Sequence, residues 1–225
     1  MSDGDLGALF ITLQLAVVST LILLLLGTPL AWWLAHSRTR IKVLIEAIVA
    51  LPLVLPPTVL GFYLLIMLGP QGPIGNLFIS LGAEAPAFRF SGLVIGSVLY
   101  SMPFVVQPLR DSFATQGKHL CEAAATLRAT PWDRFFSVAL PLARHGFLTA
   151  TVLGFAHTVG EFGVVLMIGG NIPGETQVLS IAIYDHVESL EYTQAHWLAG
   201  ALLLSSFLML VMVYGVNRRF NTARP

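Results

Sequence analysis

Five long apolar runs divide the 225-residue chain, and charge collects in the stretches between them. The first, Ala8 to Ala35, holds no charged residue and is long enough to cross a bilayer with some tilt. The second, Val43 to Leu68, has Glu46 near its start and is interrupted by Pro52, Pro56 and Pro57. The third, Ser91 to Leu109, contains Pro103; the fourth, Phe147 to Ile168, contains His157 and Glu161; the fifth, Ala195 to Val216, is again uncharged. A segment crossing hydrocarbon has to close its own backbone hydrogen bonds, so each run predicts a helix. The pattern predicts an all-α integral membrane protein with five spans (8–35, 43–68, 91–109, 147–168 and 195–216) in one domain covering 1–225.

Composition supports that solvent. Hydrophobic residues make up 56% of the chain and charged residues 11%, with a mean hydropathy of +0.79, whereas soluble domains are about a quarter charged. The net charge is zero, so nothing global points to nucleic acid. Cys121 stands alone, which excludes an internal disulfide and a cysteine-based metal site. The opening MSDGDLGALF is acidic where a cleavable signal would be basic.

Basic residues set the orientation. If the loop after the first run faces the cytoplasm, 11 of the 12 lysines and arginines lie inside, and only Arg89 lies outside. Asp3, Asp5, Glu84, Glu175, Asp185, Glu188 and Glu191 then lie outside. The expectation is an N-terminus outside and a C-terminus in the cytoplasm.

The longest inside loop, 110–144, carries the densest polar information. Phe113, Gly117, Leu120, Ala124 and Leu127 fall in steps of four and three, one stripe of a helix that should stop near Ala129. Thr130-Pro131-Trp132-Asp133 then reads as a helix start: Thr as N-cap, Pro first, an acid third. The second helix should carry Trp132, Phe135, Phe136 and Ala139 on one side and be closed by Pro141. The loop is expected to be two helices meeting at a corner. On these residues alone it is either an amphipathic hairpin on the membrane or a docking element, with Ala123 and Ala124 admitting a close backbone and Glu122 available to a cation.

Glu122-Ala123-Ala124, three residues, Arg128 where a glycine is usual, then Leu140-Pro141 resembles the signature loop of ABC-importer permeases. LPLVLPPTVLGFYLL (51–65), GEFG (160–163) and GNIPGET (170–176) are similar to the permeases of the molybdate transporter family. Sulfate, thiosulfate and tungstate permeases share part of these elements. The resemblance spans roughly residues 10 to 215 and implies a type I ABC importer fold with a cytoplasmic coupling-helix loop. It implies ATPase coupling through Glu122, Ala123, Ala124, Arg128 and Pro141. It further implies a homodimer, two ABC ATPase subunits, an external substrate-binding protein and a place in the bacterial cytoplasmic (inner) membrane. Arg128 departs from the usual glycine.

The chemistry agrees with a conduit rather than a catalyst. The sequence has no G-x-x-x-x-G-K-[ST] phosphate loop, so ATP and Mg would be used by a partner and this chain would need no cofactor or metal of its own. Five helices enclose a path poorly, whereas two copies place one on a two-fold axis. Pro56 and Pro57 free backbone groups that membrane depth tolerates only beside protein or a water-filled cavity, so Pro56, Pro57 and Thr58 either line the path or mark a packing kink. Glu161, expected near a helix centre, costs about 2.5–3.5 kcal/mol on insertion scales and should face the bundle interior. With His157 one turn earlier and Gly160 and Gly163 flanking it, it reads as a gating polar pair, a hydrogen-bonded packing residue, or half of a metal or proton-relay site. His36, His119, His145, His186 and His196 are expected at interfaces or in solvent. Thr176 to Ser189 has helical spacing and would lie on the outer surface or receive the binding protein. The rival substrates are sulfate, thiosulfate and tungstate; the rival classes are an intramembrane enzyme and an ion-coupled secondary transporter, the latter lacking the expected inverted repeats.

Overall fold

A computed structural model describes residues 3–116, 124 and 126–221. The chain forms α1 (Asp3–His36), α2 (Ile41–Ala50), a 3-10 turn (Leu51–Leu53), α3 (Pro57–Leu68), α4 (Pro73–Ser80) and α5 (Phe90–Gln116). After the loop come α6 (Pro131–Asp133), a π-helical segment (Arg134–Ala139), α7 (Leu140–Leu142), α8 (Arg144–Val159), α9 (Gly163–Gly169), α10 (Leu179–Glu188) and α11 (Tyr192–Asn221). No strand occurs among the described residues. Four units are long and apolar enough to cross a membrane: Gly4–His36, Pro57–Ser80, Phe90–Thr115 and Tyr192–Met212. A fifth results if Arg134–Leu142 and Arg144–Val159, bent by 65°, count as one span.

The centre of the bundle is α1, α5 and α8. Leu23, Ala31 and Leu34 of α1 meet Val105, Val106, Leu109 and Phe113 of α5, with Ala139, Ala143 and Ala150 closing the cluster. In lipid, burial against a neighbour gains little over burial against acyl chains, so close packing through small residues carries the association. Gly154 shows the tightness: a Cβ there would lie 2.6 Å from the Val105 side chain. The outer faces stay apolar, with Val17, Leu21 and Leu25 at steps of four on α1 and Leu203, Phe207 and Tyr214 on α11 all exposed.

Two expected helices break. The 43–68 run is divided where its prolines fall: α2 ends at Ala50, and the chain passes through the 3-10 turn and an extended Pro56 before α3 starts at Pro57. Proline supplies no N–H, so it fits only the first turn of the new helix. The 147–168 run was expected to be continuous. Instead α8 stops at Val159, Gly160 caps it, and Glu161 and Phe162 lie outside any helix before α9 begins at Gly163. Glu161 therefore sits in a helix break rather than at a helix centre.

The loop's second helix is also corrected. Its residues divide between a buried and an exposed side, where the segment turns as a π-helix rather than an α-helix. Phe135 and Ala139 turn into the core, while Trp132 and Phe136 stack on each other in the open, ring centroids 6.0 Å apart. Leu127 of the expected apolar stripe is exposed as well, 83% accessible. Pro141 does not end the helix: it lies inside α7, and the bend comes at Ala143. A proline crowds the carbonyl four residues back. The wider π turn before it, with the Leu140 N–H donating to the Phe135 carbonyl, lets the helix run on.

Candidate functional site

The two breaks meet. A Cβ on Gly163, the first residue of α9, would lie 2.8 Å from Cβ of Pro57, the first residue of α3; one on Gly61 would lie 2.7 Å from Cβ of Met167. Only glycine admits this approach, so α3 and α9 lie side by side with their N-terminal ends together. Beside that contact is an open pocket of about 500 Å³, lined by Pro57, Thr58, Tyr100, Ala156, His157, Gly160, Glu161, Phe162 and Gly163. Six of the seven residues the sequence offered for the path are in its wall, and Pro56 is next to it in the chain, exposed.

His157 is held by a network the sequence reading missed. Its Nδ1 is 2.9 Å from Ser101 Oγ, which is 3.1 Å from Thr158 Oγ1, and Thr158 donates to the Gly154 carbonyl at 3.0 Å. Each hydroxyl has one proton. Thr158 spends its own on a carbonyl, so Ser101 donates to Thr158 and accepts from His157. The Nδ1–H tautomer follows, with Nε2 left as an acceptor. Phe104 stacks on the ring at 3.9 Å and 25°, and Tyr100 lies across it at 4.8 Å. The available signal was Ser97 and Ser101, one turn apart in the third apolar run, a polar stripe on an otherwise apolar helix.

Glu161 is 3% exposed, both its carboxyl oxygens are buried, and the Ser97 hydroxyl is the side-chain donor beside them. Its backbone is anchored as well: Ser180 Oγ of α10 donates to the Glu161 carbonyl at 2.5 Å. No group of three or more histidine, cysteine or acidic side chains able to hold a metal occurs among the described residues.

The GNIPGET stretch folds as a compact loop joined to α10. Gly170 and Asn171 take left-handed backbone, the Asn171 and Gln177 amides donate to the Asp185 carboxylate, and Thr176 donates to the Gly169 carbonyl at 2.7 Å. Leu179 N–H of α10 donates to Thr12 of α1 at 2.7 Å. His186, expected in solvent, is instead half of a tie: Nε2 to Asp5 and Nδ1 to Glu191, each 2.8 Å. Asp5 first, and Glu191 second, raise the His186 pKa above its usual 6.5. A raised folded value means the tie contributes fully below about 6.5 and fades as pH climbs through that raised value. The thermal midpoint in detergent is expected to fall from neutral pH upward, and His186→Gln to flatten that slope; an equal slope in both proteins would assign it elsewhere.

At the other end of the bundle, Arg110 of α5 reaches Glu46 of α2 at 3.2 Å and Asp111 at 2.8 Å, and Lys42 lies 3.8 Å from Glu46. From this end the loop departs. Glu122 and Ala123 lie outside the described residues. Ala124 accepts from Ala129 N–H at 3.1 Å, and Arg128 has φ +61°. This six-to-one bond closed by a left-handed residue is a Schellman end, where glycine is the usual choice. The next helix opens with a reciprocal box: Thr130 N–H and Oγ1 donate to Asp133 Oδ2, and Asp133 N–H donates to Thr130 Oγ1. Arg128 thus performs the turn at a backbone cost on the order of 1 kcal/mol. Arg128→Gly is expected to retain function and to raise the thermal midpoint slightly; a lowered midpoint would mean that the arginine side chain holds the corner.

Residues 27–222 match the family described as binding-protein-dependent transport system inner membrane component. The chain belongs to that family. The molybdenum transport system permease protein ModB of Azotobacter vinelandii is 60% identical over 220 residues, covering 98% of this chain and 97% of that one. A probable sulfate transport system permease protein cysT of Zygnema circumcarinatum is 32% identical, covering 92% of this chain and 72% of its own length. In solved structures, a bacterial alginate ABC transporter in complex with an alginate pentasaccharide-bound periplasmic protein aligns with a TM-score of 0.77 at 17% identity, over 98% of this chain and 80% of its own. The fold is that of a type I ABC importer permease, and this permease is a multi-pass inner-membrane transport component rather than a catalyst.

Proposed function

We propose that this permease is the translocation subunit of a molybdate importer. The observation that carries the substrate is the 60% identity with a molybdenum permease over nearly the whole chain. Two copies form the path on a two-fold axis, two ATPase subunits in the cytoplasm bind and hydrolyse ATP with Mg, and an external binding protein delivers the anion. The N-terminus is outside and the C-terminus inside, supported by the basic residues gathered at the Arg110 end.

The coupling contacts are Glu122, Ala123, Ala124, Arg128 and Pro141. The Schellman end and the capping box support a rigid corner there: both helix ends are satisfied internally, so a push on the first is passed to the second. The path is lined by Pro56, Pro57, Thr58, His157, Gly160, Glu161 and Gly163, supported by the convergence of all of them but Pro56 on one pocket. Ordered broken-helix backbone of this kind belongs beside a water-filled route.

Sulfate is the second reading, favoured by relatives at about one-third identity. Uptake of labelled molybdate, tungstate and sulfate by proteoliposomes holding the whole complex separates the cases. Molybdate uptake that needs ATP and the binding protein is expected. Sulfate uptake without molybdate uptake would replace the substrate.

A further inference from the structure

We propose that the Tyr100 hydroxyl, together with that of Thr58, donates hydrogen bonds to the oxyanion as it passes the pocket, which makes Tyr100 a specificity-determining residue of the path. This rests on the translocation reading above and names the chemistry of that path.

Hydroxyls in the spans have a local way to satisfy themselves. Thr12, Thr28, Thr151 and Thr158 each donate to the carbonyl four residues back, at 2.7, 2.6, 2.7 and 3.0 Å. Thr58 has no such carbonyl. It is the second residue of α3, and the extended Pro56 interrupts the helix that would have presented one. Tyr100 of α5 cannot use the device either, because its hydroxyl stands at the far end of a ring, beyond the carbonyls of its own turn. A tyrosine inside a bundle needs a partner across space, and buried ones usually have it. Neither Tyr100 nor Thr58 has a hydrogen-bond partner among the described residues, and both line the pocket.

The rest of the wall leaves the role to them. No lysine or arginine lines the pocket. Both Glu161 carboxyl oxygens are buried, with the Ser97 hydroxyl beside them. His157 is committed through Nδ1 to Ser101 at 2.9 Å. That bond fixes the imidazole plane, on which Phe104 stacks at 3.9 Å and against which the Tyr100 ring lies at 4.8 Å. The Ser101 network thus seats Tyr100, since it holds the surface on which the phenol rests. A phenol, like a threonine hydroxyl, is an uncharged donor. Two such donors, one on α3 and one on α5, engage a tetrahedral oxyanion through its oxygens with no fixed cation to retain it, which suits a step of passage.

The test uses the complete importer in proteoliposomes, with labelled molybdate, ATP and binding protein. Tyr100→Phe keeps the ring on His157 and removes only the hydroxyl. Uptake is expected to fall roughly tenfold, the scale of one hydrogen bond to a charged group, and the ATP hydrolysed per molybdate moved is expected to rise. A purely structural role would lower uptake and ATP hydrolysis together and leave that ratio where it was; this result would overturn the proposal, and so would full uptake by Tyr100→Phe. Should the variant fail to assemble with the ATPase, Thr58→Val carries the comparison: a several-fold loss of uptake with a raised ratio is expected, and undiminished uptake overturns the proposal. Wild-type vesicles that move no oxyanion on ATP would refute the translocation reading and this proposal with it, whereas full uptake by Tyr100→Phe refutes the proposal alone.

Discussion

Replacing Glu122 with lysine is expected to abolish ATP-driven molybdate uptake while the chain remains in the membrane and assembled as a permease. In the coupling role proposed above, the residue heads the loop through which energy enters, since the sequence holds no phosphate-binding loop of its own. On that proposal, reversing its charge would remove a partner for a cation on the ATPase and set like charges against each other. Loss of one member of a buried interfacial charge pair costs about 2–5 kcal/mol. The corner that follows is built from local bonds, Ala129 to Ala124 and Thr130 with Asp133, none of which uses Glu122. Membrane insertion and the thermal midpoint should therefore hold while co-purification with the ATPase and stimulated ATP hydrolysis fail. Wild-type uptake by Glu122→Lys would remove the case for coupling through this loop.

Gly163→Val should be nearly as damaging, for a different reason. Its Cβ would sit 2.8 Å from Cβ of Pro57, and a branched side chain has no room to lean away. Forcing extra carbons into such a contact costs about 1–3 kcal/mol. The strain falls on the contact between the two half-helices that wall the pocket, so α9 must move off α3 and the route loses its shape. A lower thermal midpoint and uptake reduced to background are expected, with Gly163→Ala between the two proteins. A valine variant that melts and transports like the wild type would show that α3 and α9 can separate freely without consequence.

Much of this architecture was legible in the chain. Apolar runs free of charge identify helices whatever their partners, because hydrocarbon demands closed backbone bonds from each segment separately. Thr130 and Asp133 announced a helix start because capping is local. The proline break before α3 was legible for the same reason. The GEFG break was not: Phe162, Val164, Val165 and Leu166 continue the apolar pattern, and a break there depends on what α3 and α10 offer across space, Pro57 and Ser180 above all. Arg128 resisted reading because a positive φ is invisible in an arginine. The Ser101 network was missed because its partners are 56 and 57 residues away. The pocket residues were found individually through their cost at membrane depth, whereas their shared location required the fold.

The shortness of α9 has a consequence for how the protein is made. Seven residues at 1.5 Å each rise about 10 Å, one-third of the roughly 30 Å hydrocarbon layer. No translocon can release such a piece into lipid as a finished span. It has to enter together with α8 and wait for the groove offered by α3, which was synthesised about a hundred residues earlier. The pocket is thus complete only once α9 has docked on α3, however early its other walls are in the membrane.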